Sequence, residues 1–512
     1  MPFNQVFMPF CDLSNKRRLS FLKNHDTIKL SILSDLRTPI VTTFSPITIS
    51  CFKAYDVRGE LDVTLDEHIS YRIARAFAQI LKSQNTTERP AIVIGSDIRP
   101  SSHALKVAAI EGITDAGVDV IDLGMTGTEE VYFATSHYQA IGGIEVTASH
   151  NPINYNGLKM VRENSRPISA DTGLIEVRAL AESGDFIESQ KGSITQNPDK
   201  TAYVDKLMSF VDITKFIPKK IVVNSGNGSA GPVVDALEER LASSPIELIK
   251  VHHQPDGSFP NGIPNPMIIA NQAATRDAVL STGADFGVAF DGDFDRCFLF
   301  DANGRFIDGS YVVGMLAAAF LQKHPGQTIV YDPRVIYNTQ NVIEKMQGVP
   351  ALSKSGHSFI KQVMRETQAI YGGEMSAHHY FKDFFYCDSG MIPWLLLIEL
   401  LSVTGKSLAE LVDDYIQDFP SSGELNFRLG ETDAAAISQG LEQKYADHSP
   451  QKNTLDGLSL DFGDWRFNLR SSNTEPLIRL NVEARGDADL LTQKIKEIID
   501  YLHSQGAIAA DH

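Results

Sequence analysis

From Cys51 onward the hydrophobic positions settle into a repeating order. Ile69, Ile73, Ala76, Phe77 and Ile80 recur at the 3.6-residue period behind Thr64 and Glu67, which read as a capping box, and predict an amphipathic helix. The apolar run 91–94 follows, closed by Gly95, Ser96 and Asp97; a helical stretch then leads into Gly117 and a second apolar run at 118–123. Short apolar runs separated by helices are β-α-β grammar, which predicts a parallel sheet covered on both faces.

The grammar returns twice. Ile221, Val222 and Val223 run into Asn224-Ser225-Gly226-Asn227-Gly228, and Ile329, Val330 and Tyr331 run into Asp332-Pro333-Arg334, each followed by helix-like sequence. The repeat spacing is of domain size, and polar stretches at 182–200 and 420–424 lie between or after the units. Three similar α/β units are expected. Beyond them the period changes: Leu458, Leu460, Phe462, Phe467 and Leu469 alternate as in strands, Leu480 and Val482 follow, and Leu490, Leu491, Ile495, Ile498, Ile499 and Leu502 mark a last helix. A smaller α+β domain therefore closes the chain.

Composition narrows the classes of function. A chain of 512 residues with 43% hydrophobic content exceeds what one core holds, and a formal charge of −18 argues against non-specific binding to nucleic acid or an anionic membrane. Cys11, Cys51, Cys297 and Cys387 form no C-x-x-C pair, which fits a reducing cytoplasm better than a disulfide framework or zinc cluster. The longest apolar run, 391–403, contains Pro393 and Glu399 and falls short of the roughly 18 residues a membrane span needs. Residues 1–50, with basic Lys16-Arg17-Arg18 and no sustained periodicity, are expected to be an extension dispensable for chemistry.

Four stretches carry candidate chemistry. Ser149 falls on the loop leaving the buried-strand run 142–146, where α/β sheets form ligand crevices, with Asn151 and Pro152 enforcing a turn and His150 and Lys159 available to handle protons or charge. Asp291, Asp293 and Asp295 place three carboxylates at i, i+2 and i+4, an arrangement that repels itself without a cation between the groups. Position six from Asp291 is Arg296 and position twelve Ala302, which excludes a calcium loop and favours magnesium. Glu374, Ser376 and His378 in Gly-Gly-Glu-Met-Ser-Ala-His-His offer donors and acceptors suited to sugar hydroxyls, without the further ligand pair that zinc requires. Arg470, Ser471, Ser472, Asn473 and Thr474, with Arg479 near, read as a phosphate cradle or an ordinary polar hairpin. Arg58 before Gly59, and His357 in a Lys-Ser-Gly-His turn, are lesser anion-binding candidates.

The stretches T-A-S-H-N-P, D-G-D-x-D-R, G-E-x-S-x-H and R-x-S-N-T-E-P, in this order, resemble the α-D-phosphohexomutase superfamily from Cys51 to about Leu502, and most resemble its bacterial phosphomannomutase branch. The resemblance implies an α/β fold: three similar mixed-sheet α/β domains plus a C-terminal α+β domain around a central cleft, over 51–195, 196–303, 304–420 and 421–512. It implies that Ser149 carries a phosphoryl group, that Asp291, Asp293 and Asp295 hold Mg2+ with that serine, and that Lys159, His150 and Arg58 are acid/base and charge-stabilising neighbours. Arg296, Arg334, His357, Glu374, Ser376 and His378 would bind the sugar phosphate. Arg470, Ser472, Asn473, Thr474 and Arg479 would grip the phosphate that is not reacting. Arg334 stands where some relatives carry lysine. The implied reaction interconverts mannose 6-phosphate and mannose 1-phosphate through a hexose 1,6-bisphosphate, which also serves as activator, in a monomer or weak homo-oligomer; a glucose or dual-specificity mutase is the alternative.

Overall fold

A computed structural model describes residues 41–510 apart from 431–432 and 472–476. In the first sheet Ala91–Ser96, Asp119–Met125 and Ile194–Gln196 run parallel with Gly142–Val146, while Tyr155–Arg162 and Val57–Glu60 complete the other edge antiparallel. The second sets Lys219–Asn224 between Ile246–Val251 and Phe286–Phe290, all parallel, with Cys297–Asp301 antiparallel at the edge. The third repeats the plan with Val349–Leu352, Thr328–Tyr331 and Tyr371–Gly373 parallel and His379–Phe381 and Cys387–Asp388 antiparallel. All three sheets are thus mixed, where β-α-β grammar alone predicts parallel ones.

The reason is the length of one connection. After Gly142–Val146, Phe286–Phe290 and Tyr371–Gly373 the chain reaches its next strand through a short loop, and a parallel crossover needs a dozen residues or more. The chain must return antiparallel. Those three returns carry Ser149, the three aspartates and Glu374. A fourth chemically loaded stretch of sequence follows Trp465–Ser471 and precedes Leu477–Ala484 of the C-terminal sheet, whose described strand pairs are all antiparallel and which is backed by helix Ala488–Ser504.

The predicted first helix spans Glu67–Ser83 and buries Ile73, Ala76 and Phe77, but its cap differs from the expected box. Asp66 accepts from the Ile69 backbone N–H at 2.7 Å, while the Thr64 hydroxyl is spent on Glu60 in the preceding turn. A carboxylate two residues nearer the helix wins the N-cap position. Residues 41–49 lie on the first domain: Val41–Thr43 pairs with Asp185–Ile187, and Ile49 is buried. Among the described residues no helix is long and apolar enough to cross a membrane. The run at 391–403 is instead helix Met391–Thr404, whose residues Met391–Leu401 are all buried. One hydrophobic cluster joins this helix to Val204, Leu207, Val233 and Phe286 of the second unit and Leu316, Ile329 and Tyr371 of the third. Continuous packing of this kind fixes the aspartate return against the Gly-Glu return.

Candidate active site

Ser149 leaves its strand with a φ of +49°, a left-handed backbone that non-glycine residues seldom adopt and that costs roughly 1–2 kcal/mol. The loop tolerates it because it is held from several sides. The Ser149 N–H donates to the Thr147 hydroxyl at 2.8 Å, and buried Arg99 donates to the carbonyls of Ser149 (2.8 Å), Asn151 (2.6 Å), Pro152 (2.9 Å) and Tyr155 (3.2 Å). Asp97 balances the Arg99 charge and accepts from Ser102 and Thr147. Nothing in the local sequence marks Arg99; the one available signal is its place three residues past the strand Ala91–Ser96, the parallel neighbour of Gly142–Val146. Arg99→Met keeps bulk and removes every donor. We expect kcat to fall about 100-fold, as displacements near 1 Å do, with circular dichroism unchanged; an unaltered kcat excludes this positioning role.

The aspartate loop meets the serine directly. The Ser149 hydroxyl donates to Asp291 Oδ2 at 2.8 Å, and Arg296 Nε donates to the same oxygen at 2.8 Å. Gly292 permits the approach, since a Cβ there would lie 2.3 Å from the Ser149 carbonyl oxygen. His150 Nδ1 is 2.9 Å from Ser149 Oγ and 2.5 Å from Arg296 Nη2. Burial, with the neighbouring Arg296 charge, pushes the His150 imidazole down to about 4, so the ring is neutral and accepts from the guanidinium. Lys159 Nζ lies 2.6 Å from both Asp293 Oδ2 and Asp295 Oδ2. Burial opposes its charge, but the two carboxylates outweigh burial and hold the ammonium above its ordinary range. Thr128 donates to Asp293 Oδ2 at 2.6 Å from a neighbouring helix, a contact the sequence does not announce.

This trio fits a hard divalent cation. Ligand oxygens of Asp291, Asp293 and Asp295 lie within 4.8 Å of one another, and Oδ1 of Asp293 and of Asp295 are buried without a hydrogen-bond partner. Buried carboxylate oxygens without donors are costly unless a cation completes them.

The Gly-Glu return joins the same surface. Arg296 and His378 form an antiparallel bridge, and the Cys297 N–H donates to Ala377 O at 3.3 Å. His378 Nδ1 sits 3.1 Å from Asp388 Oδ2 and 4.0 Å from Asp295 Oδ1; burial disfavours its charge, yet these carboxylates raise it. Glu374 accepts from the Gly356 N–H at 2.7 Å and from the Tyr380 hydroxyl at 2.5 Å, tying the loop to the turn that carries His357. The His357 ring meets Tyr55 edge-on at 4.9 Å. Arg334 pairs with Asp332 and donates to Ser376 Oγ at 3.3 Å. Arg58 donates to Asn151 Oδ1 at 2.6 Å on the serine side. Arg470 and Arg479 share Glu424, which also faces Arg334 at 3.5 Å, so unbroken contacts lead from the serine loop to the C-terminal sheet. Ser472, Asn473 and Thr474 lie outside the described residues.

Residues 50–187, 201–304 and 308–419 match the alpha/beta/alpha domains I, II and III of phosphoglucomutase/phosphomannomutase, and 424–500 match its C-terminal domain. The chain belongs to the phosphoglucomutase/phosphomannomutase family. Family members of high similarity include a phosphomannomutase of Salmonella montevideo, 56% identical over 89% of this chain and 99% of that protein. A protein of Xanthomonas campestris named phosphohexose mutases is 52% identical over 89% of this chain and 100% of its own length. A crystal structure of a phosphoglucomutase/phosphomannomutase family protein from Burkholderia thailandensis superposes with a TM-score of 0.80 at 32% identity, covering 90% of this chain and 99% of that one. Membership in this family makes the chain an enzyme of the phosphohexomutase kind.

Proposed function

We propose that the chain is a phosphomannomutase that interconverts mannose 6-phosphate and mannose 1-phosphate through a phosphorylated Ser149. The observation that carries the chemistry is the Ser149 hydroxyl 2.8 Å from Asp291 Oδ2, inside a buried trio of carboxylates. A phosphoryl group in flight spreads negative charge over its oxygens, so catalysis is mainly positioning and charge stabilisation. Asp291, Asp293 and Asp295, with an oxygen on Ser149, would hold a divalent ion, magnesium by the hardness of this oxygen set, which supplies charge neutralisation when bound.

The chain's own groups divide the remaining work. In the forward step the Ser149 Oγ–P bond breaks and a bond forms from phosphorus to the free hydroxyl of the sugar phosphate, whose proton leaves to a base in the site. The resulting 1,6-bisphosphate turns end for end, and its other phosphoryl group returns to Oγ. Arg296, itself paired with Asp291, steadies charge beside the serine, and Lys159, set 2.6 Å from Asp293 and Asp295, serves with His150 among the acid/base and charge-stabilising groups. His150 and Arg58 complete the serine side. Arg334, His357, Glu374, Ser376 and His378 orient the sugar, while Arg470 and Arg479, with Ser472, Asn473 and Thr474, grip the phosphate at rest. Two phosphate-handling places favour a mutase over a phosphatase, which needs one.

The sugar is tested in a coupled assay on mannose 1-phosphate and glucose 1-phosphate with added hexose 1,6-bisphosphate as activator. We expect kcat/KM to favour the mannose compound by about tenfold, equivalent to about 1.4 kcal/mol of transition-state preference. Equal values establish instead the dual-specificity reading. Release of inorganic phosphate without isomer overturns both.

A further inference from the structure

Segment 420–424 joins the third family domain, which ends at 419, to the fourth, which begins at 424. It runs along the strand Leu477–Ala484: Ala484 N–H donates to Pro420 O at 3.0 Å, Ser422 N–H to Val482 O at 2.8 Å and Asn481 Nδ2 to Gly423 O at 2.8 Å. The side chain at its end, Glu424, is 5% exposed. Its Oε2 lies 3.1 Å from Arg470 Nη2 and 3.5 Å from Arg334 Nη1, and its Oε1 lies 3.1 Å from Arg479 Nη1.

The sheet register explains why an anion is needed there. Arg470 and Arg479 are direct partners across the strands Trp465–Ser471 and Leu477–Ala484. Like charges directly opposite on an antiparallel pair repel. Asn426, the partner of Arg479 on the next strand, extends the row, and at the two-residue period Glu424 falls on the same face. Arg334 brings a third cation from the third domain. The buried Glu424 carboxylate thus bridges Arg470 and Arg479, each at 3.1 Å, to Arg334 of the third domain at 3.5 Å, whose closer partner is Asp332 at 2.7 Å. Its grip on Arg470 is through Nη2 alone, on a fork that carries five N–H donors, so a phosphate can be received without expelling the carboxylate.

We infer that Glu424 is a positioning residue for the resting phosphate: a built-in counter-anion that keeps Arg334, Arg470 and Arg479 aligned across the junction between the last two domains. The inference rests on reading this surface as the second phosphate place of a mutase.

Glu424→Gln, which keeps shape and removes charge, and Glu424→Asp, which keeps charge and shortens reach, are compared with wild type in the coupled mannose 1-phosphate assay. Inorganic phosphate is also titrated calorimetrically into each protein without divalent ions. We expect Glu424→Gln to raise KM about tenfold or more and to weaken phosphate binding in parallel, with kcat within about threefold because the lost contact serves ground and transition states alike. Glu424→Asp should recover most of both. Unchanged KM and phosphate affinity overturn the inference, as does tighter phosphate binding, the mark of a competing anion. Equal damage in the Gln and Asp variants marks simple packing and also overturns it. If Glu424→Gln yields no folded protein, Glu424→Ser takes its place beside Glu424→Asp: weaker phosphate binding than in the Asp variant supports the role, and binding equal to it overturns the inference. A wild type that turns over no hexose phosphate defeats the mutase reading, while the titration still decides Glu424.

Discussion

Replacing Ser149 by alanine is expected to lower turnover by about 10⁴-fold or more, the scale seen when a covalent nucleophile is deleted, while the protein stays folded. The fold is spared because little rests on the hydroxyl. Asp291 Oδ2 keeps its bond from Arg296 Nε at 2.8 Å, and the loop backbone keeps Arg99 and Thr147. Loss of one such hydrogen bond changes stability by about 1 kcal/mol. Two measurements check this: the coupled assay, and transfer of labelled phosphate from a hexose 1,6-bisphosphate to the protein. The variant should take up no label at a stoichiometry the wild type reaches. Retention of a tenth of the activity, or full labelling, places the phosphoryl carrier elsewhere and removes the foundation of the proposed reaction.

Stripping divalent ions is the second large effect. Chelation should cut turnover by about 100-fold or more, and magnesium should restore it, because the charge of the transferring group would otherwise face three carboxylates. A readout independent of turnover is thermal: at ten times the dissociation constant a ligand of the folded state adds about 1.4 kcal/mol, raising the melting temperature. Asp293→Asn should lose both responses. Its carboxylate is buried, has one oxygen without a hydrogen-bond partner, and shares Lys159 with Asp295. An enzyme indifferent to chelation and to magnesium, in rate and in melting temperature, contradicts the reading of this trio as a metal site.

Much of the architecture was legible without coordinates. The apolar runs before Gly95, Asn224, Asp332 and Ser149 marked sheet strands because burial on both faces leaves few polar positions in them, buried Glu145 being the exception in the last, and each chemically loaded loop announced itself by a change to glycine, proline and hydrogen-bonding residues. These are local signals. The first helix was legible by period, but its cap was not, since Thr64 and Asp66 are both good capping residues and the turn at Glu60 decided between them. Lys159 was legible as a charged neighbour, though not as the cation shared by Asp293 and Asp295. Arg99, Thr128 and Glu424 were invisible: their partners lie 46 to 165 positions away, and no local pattern separates such a side chain from an ordinary surface charge.

What the chain determined by itself was the chemistry present and the kind of backbone that would present it: a serine, an aspartate trio, a glycine-glutamate stretch and an arginine-led turn, each on a loop after a strand. What only the tertiary structure decided was which of these groups meet. Three short returns forced antiparallel strands onto otherwise parallel sheets, and a core shared by the second and third units set the aspartates against His378. Periodicity records the local choice between helix and strand, whereas the partner of a buried charge is chosen by packing between segments far apart in the chain, where desolvated groups must find opposite charge or a hydrogen bond.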